Sequence, residues 1–159
     1  MNTIRSAIGL LVWIVVSLGA GLIGSVFTTR SVGTWYVRLN KPPWTPPSGI
    51  FGPVWSLLYL LMGTAAWLVW RKGGFPAARA ALTLFCLQLI FNAAWSAIFF
   101  GARMPGAAFA EILALWCLIL ATLVAFWRSV PLAGILMTPY LAWVTFAAAL
   151  NFAVWRMNM

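Results

Sequence analysis

The sequence predicts an all-α integral membrane protein, a bundle of five transmembrane helices with a long ordered loop after the first. Of its 159 residues, 64% are hydrophobic and only 7% are charged, whereas a soluble domain carries about 25% charged residues. Five apolar segments are long enough to span a bilayer core, which takes about 20 helical residues. The later connections are short, so consecutive helices should be antiparallel neighbours. We therefore expect one membrane domain over residues 1–159.

The five helices are predicted at about residues 7–27, 54–70, 80–100, 107–127 and 131–154. The first segment follows Arg5 and could be a signal peptide. Its apolar run of about 20 residues is longer than the roughly 7–15 residues of a signal-peptide core, so a membrane helix is expected instead. Between the second and third helices, Gly73 and Gly74 end one helix and Pro76 precedes the next.

The first connection, predicted to span residues 28–53, should form an ordered lid. It holds prolines at 42, 43, 46, 47 and 53, and because a proline fixes its own φ and restricts the residue before it, no helix is expected until about Gly52. Loops above about 15 residues are mostly functional lids or disordered linkers. Disordered segments are poor in aromatic residues, whereas the stretch that ends this loop and begins the second helix contains Trp35, Tyr36, Trp44, Phe51 and Trp55.

The charged residues exclude several functional classes. The net charge of +9 does not indicate nucleic-acid binding, because the ten basic residues are scattered between apolar segments, as is usual in membrane proteins. Five fall on each predicted side of the membrane, so the positive-inside rule gives no orientation. Glu111 is the single acidic residue and histidine is absent. This excludes paired-carboxylate catalysis, Ser-His-Asp triads and histidine-ligated metals, and no metal site is predicted.

Polar residues on the third helix are candidates for a binding site. Gln88 and Asn92 share one face, and Trp95 borders it. Amides are costly in hydrocarbon, so this face should point to the bundle interior or to a cavity. These amides would either form hydrogen bonds between helices or contact a ligand. Glu111 on the fourth helix is a second intramembrane polar residue, placed about one turn into the helix, where the helix dipole stabilises a carboxylate.

The fifth helix offers a second candidate face. Pro139, Trp143, Ala147 and Asn151 follow one another at i+4 spacing, with Leu150 alongside. Pro139 removes a backbone donor and should kink the helix. A kink followed by an indole, a small residue and an amide would form either one wall of a pocket or an ordinary packing face.

A stripe of small residues, Ala93, Ala97 and Gly101, runs along the third helix at i+4 spacing. Small residues let helix backbones approach closely in membranes. The stripe is therefore either a packing face within the bundle or the interface of a homodimer.

Several motifs together carry a family resemblance over nearly the whole chain from about residue 20. They are Trp35-Tyr36, Leu39-Asn40-Lys41-Pro42, Trp44-Thr45-Pro46-Pro47, Gly52-Pro53-Val54-Trp55, Gln88-Leu89 with Asn92 and Trp95, Phe99-Phe100-Gly101-Ala102-Arg103, Pro139-Tyr140-Leu141-Ala142-Trp143, Leu150-Asn151 and Trp155-Arg156. As a set they are highly specific. The chain resembles the TspO/MBR family, which comprises the translocator proteins and the tryptophan-rich sensory proteins.

The resemblance implies a five-helix bundle, often dimeric, with a pocket under the first loop for porphyrins, for sterols in animal members, and for synthetic aromatic drugs of the benzodiazepine-receptor type. It implies a bacterial cell membrane, or the mitochondrial outer membrane if the chain is eukaryotic. It also implies that Trp55 and Trp143 would take part in any light- and oxygen-dependent breakdown of protoporphyrin. By motif, the pocket residues would be Tyr36, Trp55, Asn92, Trp95, Trp143, Ala147, Leu150 and Asn151. Phe152 replaces the tyrosine of the animal sterol motif, which weakens the case for sterol binding.

The residues themselves favour the same kind of ligand. A flat apolar ring with carboxylates, such as protoporphyrin IX, suits indole walls, a few amides and a lid with Arg38 and Lys41 at its rim. Porphyrin would be a ligand and not a cofactor, and a metal-free porphyrin is expected to bind at least as well as haem, whose commonest axial ligand, histidine, is absent. The leading hypothesis is a binding, sensing or transport protein for tetrapyrroles. A light-dependent porphyrin-degrading enzyme and a membrane scaffold protein are the alternatives.

Overall fold

The computed structural model describes residues 3–159. Five long helices are each long and apolar enough to cross a membrane, which confirms the predicted all-α membrane bundle. They are α1 (Thr3–Val32), α2 (Ser48–Trp70), α3 (Arg79–Gly101), α4 (Pro105–Ser129) and α5 (Pro131–Met157). A single helical turn, Gly74–Ala77, lies between α2 and α3, and a 3₁₀ turn, Tyr36–Arg38, lies in the first loop.

The helices form a closed ring in the order α1, α2, α5, α4, α3. α1 packs against α2 and α3, α2 packs against α5, and α4 packs against both α3 and α5. Large side chains from four helices fill the centre, among them Met62, Phe85, Phe126 and Tyr140. Because consecutive helices are antiparallel, the first loop lies at the same end of the bundle as the α3–α4 turn and the C-terminus of α5.

The first loop is shorter than predicted, because both flanking helices extend into it. It covers residues 33–47 and not 28–53. α1 continues through its polar end, where hydroxyls bond helix carbonyls without interrupting the helix, as Thr28 Oγ1 does to Gly24 O at 3.2 Å.

The expectation of no helix before about Gly52 is wrong. α2 begins at Ser48 and contains Pro53. A proline at this position removes the bond to the carbonyl of Gly49, and Gly49 is exposed near the helix start, where water can take that bond instead. The proline therefore costs little there.

α3 ends in a π-helical segment, Ala97–Gly101, in which Ala102 N donates to Ala97 O at 2.8 Å. Such segments are rare and are often found at functional sites. Here the extra residue places both Phe99 and Phe100 in buried positions beneath the first loop. Ser31 Oγ, from the end of α1, donates to Phe100 O at 2.7 Å and fixes this widened turn.

Candidate ligand-binding site under the first loop

The first half of the loop packs on the end of α3. The ring of Trp35 meets that of Phe99 edge-on at 5.7 Å, and the ring of Tyr36 meets that of Phe100 at 5.6 Å. These contacts form a small apolar cluster with Phe99, Phe100, Ala108, Leu150 and Val154 at its centre. Partial burial raises the pKa of the Tyr36 phenol, so its hydroxyl stays protonated at neutral pH.

The middle of the loop is fastened to the C-terminus of α5. Asn40 N donates to Asn158 Oδ1 at 2.9 Å, and Asn158 Nδ2 donates back to Asn40 O at 2.9 Å. The same Nδ2 also donates to Val154 O at 2.7 Å. The side chain of Asn158 thus satisfies both backbone groups of Asn40 and links the loop to α5.

Lys41 holds the loop together internally. Its Nζ donates to Tyr36 O and to Leu39 O, each at 2.8 Å, and lies 4.9 Å from the centre of the Tyr36 ring. Arg38, in contrast, is exposed, and within residues 3–159 its guanidinium has no hydrogen bond or ion pair. The two cations predicted at the rim therefore have different surroundings, and only Arg38 is available to a ligand.

The second half of the loop covers an aromatic wall, which we define as Trp44, Phe51, Trp55, Trp143 and Phe146. Trp44 meets Phe146 at 5.9 Å, Phe51 meets Trp143 at 5.8 Å, and Trp143 meets Phe146 at 5.5 Å between ring centres. The wall thus joins the loop and the start of α2 to α5. Trp55 lies one turn after Phe51 on α2 and meets Tyr140 of α5 edge-on at 6.1 Å. Tyr140 is three residues before Trp143, and both tryptophans are half-buried.

Behind the wall lies a buried polar network. Tyr59 Oη donates to Asn92 Oδ1, Asn92 Nδ2 donates to Tyr140 Oη at 2.9 Å, and Tyr140 Oη donates to Gln88 Oε1 at 3.0 Å. Trp55 stacks on Tyr59 at 5.6 Å and so connects the network to the wall. Asn92 and Gln88 therefore form hydrogen bonds between helices, the first of the two roles considered from the sequence.

Asn151 and Trp95 form a second polar link. Trp95 Nε1 donates to Asn151 Oδ1 at 2.9 Å, and Asn151 Nδ2 donates to Pro105 O at 2.8 Å. This chain ties α3, α5 and the start of α4 together. Trp95 also stacks on Phe99 at 5.1 Å, so it connects the cluster under the loop with the main core.

One polar atom on the wall has no partner. Trp143 Nε1 is buried and has no hydrogen-bond partner among the described residues, although the ring itself contacts Phe51 and Phe146. Ala147, one turn further along α5, is half-buried, and Leu150 is buried in the cluster under the loop. The predicted residues thus divide between the wall, the network and the cluster.

The small-residue stripe faces α1 at two points. A Cβ on Gly101 would meet Phe27 Cδ1 at 2.9 Å, and one on Gly24 would lie 4.0 Å from Ala93 Cα. These contacts favour packing within the bundle, the first of the two roles considered. A homodimer interface through Ala93, Ala97 and Gly101 stays a prediction.

Glu111 lies deeper in α4 than predicted. The helix begins at Pro105 and has no acidic residue in its first turn, and because the dipole acts mainly within that turn, it is not what stabilises Glu111. Both carboxylate oxygens are buried and have no hydrogen-bond partner in residues 3–159.

Sequence reasoning assigned no role in the site to several residues of this region. Tyr59 and Tyr140 are the centre of the polar network, and Phe146 is part of the wall. A signal was available for the tyrosines, because the chain has only three and a hydroxyl inside an apolar helix needs a partner. Nothing in the local sequence distinguishes Phe146 from a lipid-facing phenylalanine.

Comparison with known proteins places this arrangement in context. The sequence model of the TspO/MBR family matches residues 12–156. The tryptophan-rich protein TspO of Chlorobaculum tepidum is 41% identical over 145 residues, covering 89% of this chain and 90% of its own. The translocator protein of Homo sapiens is 45% identical over 144 residues, covering 89% and 85%. The tryptophan-rich sensory protein of Cereibacter sphaeroides is 40% identical over 124 residues, covering 78% and 77%.

Proposed function

The chain belongs to the TspO/MBR family and is a multi-pass integral membrane protein, and we propose that it binds porphyrins such as protoporphyrin IX in tetrapyrrole sensing, transport or regulation. The site is the aromatic wall under the second half of the first loop. A flat ring system would lie against the indoles of Trp55 and Trp143, which are half-buried. Aromatic walls with a few placed polar groups are typical of small-molecule sites.

The observation that carries this proposal is the unpaired Nε1–H of Trp143. A buried donor without an acceptor costs about 1–3 kcal/mol, and buried polar groups in folded proteins are nearly always paired. A porphyrin carries acceptors in its carboxylates and in its unprotonated ring nitrogens. A ligand on the wall would therefore remove a cost that the unliganded protein bears.

The other polar groups near the wall are less available. Asn92 and Asn151 each use their amide for hydrogen bonds to other helices, so a ligand would have to break those bonds to reach them. Arg38 remains as an exposed cation in the same loop. We assign it the role of attracting carboxylates at the rim, and we assign Lys41 to holding the loop.

The test is Trp143→Phe, which retains a ring of similar shape but removes the N–H. Binding of protoporphyrin IX, followed by its absorbance and fluorescence in purified protein, should weaken by about 10- to 100-fold, since a hydrogen bond to a charged group contributes about 1.5–3 kcal/mol. The thermal stability of the unliganded protein should change little, because removing the unpaired N–H offsets packing that is lost when the indole is truncated. Trp127→Phe, an exposed indole on α4, is the matched control. Equal affinity of the two variants would overturn the proposal.

A second function, light-dependent porphyrin degradation, is favoured by one arrangement of rings. Trp55 stacks on Tyr59 at 5.6 Å and meets Tyr140 edge-on at 6.1 Å, so three oxidisable rings are in contact behind the wall. An indole could pass an electron to an excited porphyrin, and the porphyrin anion so formed could pass it to dioxygen, giving superoxide. The indole radical would then take an electron back from the porphyrin, whose oxidised ring would combine with the superoxide. Loss of porphyrin absorbance should then require light and oxygen, and should stop in a Trp55→Phe, Trp143→Phe double variant. Unchanged bleaching in that variant, at matched porphyrin occupancy, would exclude this mechanism.

A further inference from the structure

A groove of about 390 Å³ runs along the outer surface of α1 at the end of the bundle opposite the first loop. One wall is α1 from Ile4 to Trp13, and the other is Trp70 in the last turn of α2. Apart from Arg5 its lining is apolar. Ile4, Ile8 and Val12 are each at least half exposed, so in a membrane this groove is open to lipid.

The length of the groove matches one leaflet of a bilayer. From Ile4 to Trp13 the helix rises about 14 Å, at 1.5 Å per residue. Half of a hydrocarbon core of about 30 Å is about 15 Å. A groove that starts at the cation near the helix end and stops after this distance has the reach of a single acyl chain.

The floor of the groove has a fixed shape. A Cβ on Gly9 would come within 2.2 Å of Trp70 Cζ3, so only glycine lets the indole lie against α1 here. The neighbouring Trp67 Nε1 donates to Ser6 O at 2.8 Å and fastens the start of α1 to the end of α2. The floor of the groove is thus set by two packed helices.

Two guanidinium groups belong to this end of the bundle. Arg5 lines it directly. Arg71 lies 4.5 Å from the centre of the Trp67 ring, the same indole that is bonded to the residue after Arg5. Guanidinium groups bind phosphate through paired hydrogen bonds. Glu111, the only acidic side chain of the protein, is on α4, a helix that does not line this groove.

We propose that this groove is a binding site for an anionic phospholipid, with one acyl chain along α1 and the phosphate held by Arg5 and Arg71. The occupant follows from charge complementarity at the outer end, from an apolar lining, and from a length that fits one leaflet. The site is separate from the proposed porphyrin site, which lies at the other end of the bundle.

The experiment is native mass spectrometry of the purified full chain titrated with phosphatidylglycerol or with phosphatidylcholine. Phosphatidylglycerol should bind more tightly. Arg5→Gln and Arg71→Gln should each weaken its binding by about fivefold, the effect expected for one cation near anionic lipid. Phosphatidylcholine binding should change less. Arg30→Gln, which removes a charge from the opposite end of α1, is the matched control and should change neither.

The site would be refuted if the two lipids bound equally, or if Arg30→Gln lowered phosphatidylglycerol binding as much as Arg5→Gln. Glycerol 1-phosphate, a soluble headgroup, should not compete, because it lacks the chain that fills the groove. If glycerol 1-phosphate competed, the site would bind phosphate without requiring an acyl chain, and this would also overturn the proposal. If Arg5→Gln does not fold, Arg71→Gln still tests the site, since Arg71 is exposed and directly follows α2.

Discussion

Arg38 and Lys41 lie three positions apart in the first loop, yet the structure predicts different effects when each positive charge is removed. Lys41 Nζ donates to Tyr36 O and Leu39 O at 2.8 Å, whereas the guanidinium of Arg38 is exposed. The matched changes are Lys41→Met and Arg38→Met, because each removes one charge and keeps an unbranched apolar stem. We expect Lys41→Met to loosen the loop and Arg38→Met to change ligand preference.

The expected size of each effect follows from the contacts. A hydrogen bond to a charged group contributes about 1.5–3 kcal/mol when buried, and because Lys41 is only half-buried, solvent reduces the total of its two short bonds to about 2 kcal/mol. A loss of that size lowers the ratio of ordered to disordered loop about thirtyfold. An exposed pair between Arg38 and a ligand carboxylate is weaker, up to about fivefold in the dissociation constant.

Two measurements separate the effects. The first is the ratio of the dissociation constants of protoporphyrin IX and its neutral dimethyl ester. Arg38→Met should lower the preference for the diacid. Lys41→Met should weaken the binding of both ligands and leave the ratio unchanged. The second is cleavage of the loop by chymotrypsin, whose aromatic sites Trp35, Tyr36 and Trp44 are unaltered by either change. Cleavage should accelerate only in Lys41→Met. If Lys41→Met lowered the preference as Arg38→Met does, without faster cleavage, the role assigned to Lys41 would be wrong.

Two further predictions concern packing and the loop. Gly63→Ala should destabilise the bundle by about 1–3 kcal/mol, because the new Cβ would lie 2.8 Å from Ile14 Cα and 2.9 Å from Trp13 O. The measurement is the melting temperature in detergent, which should fall. Gly19→Ala, with open space around it, is the control, and an equal effect of both changes would contradict the packing argument. Asn158→Ala should speed chymotrypsin cleavage of the loop, because it removes both 2.9 Å bonds to Asn40. Asn158→Asp keeps the acceptor and should be intermediate, and a loop as resistant in Asn158→Ala as in the parent would show that this link does not hold it.

The number of membrane helices was predictable because it depends on local properties, namely segment length and apolar content. Their ends were not, because a helix end depends on where backbone groups find partners. Thr28 bonds to a carbonyl one turn back and lets α1 continue, and Pro53 is tolerated near the start of α2 because the carbonyl it leaves free is on exposed Gly49. Neither of these two backbone effects can be predicted from composition alone.

The inward orientation of the polar face of α3 was predictable, whereas the contacts of that face were not. The face of α3 with Gln88 and Asn92 was expected to point inward, and both residues are buried. Their partners could not be foreseen, because Tyr59 and Tyr140 are 33 and 48 residues away from Asn92 and come from two other helices. The order of helices around the ring decides which helix faces are in contact, and that order cannot be predicted from the sequence of any one helix.

The distribution of paired and unpaired polar groups indicates where the proposed ligand would be recognised. Displacing Asn92 would break two bonds to tyrosines on α2 and α5, each worth about 0.6–2 kcal/mol in a membrane interior, so the interior network fixes the shape of the bundle and resists rearrangement. Trp143 Nε1 and Arg38 can be engaged without breaking a hydrogen bond among the described residues. Both lie at the end of the bundle that the loop covers. The loop is held by hydrogen bonds at Asn40 and Lys41, whereas among the described residues no hydrogen bond joins residues 44–48 to another helix. A ligand would therefore enter by moving this second half of the loop away from Phe146, and its acceptors would be recognised at the wall and not in the core.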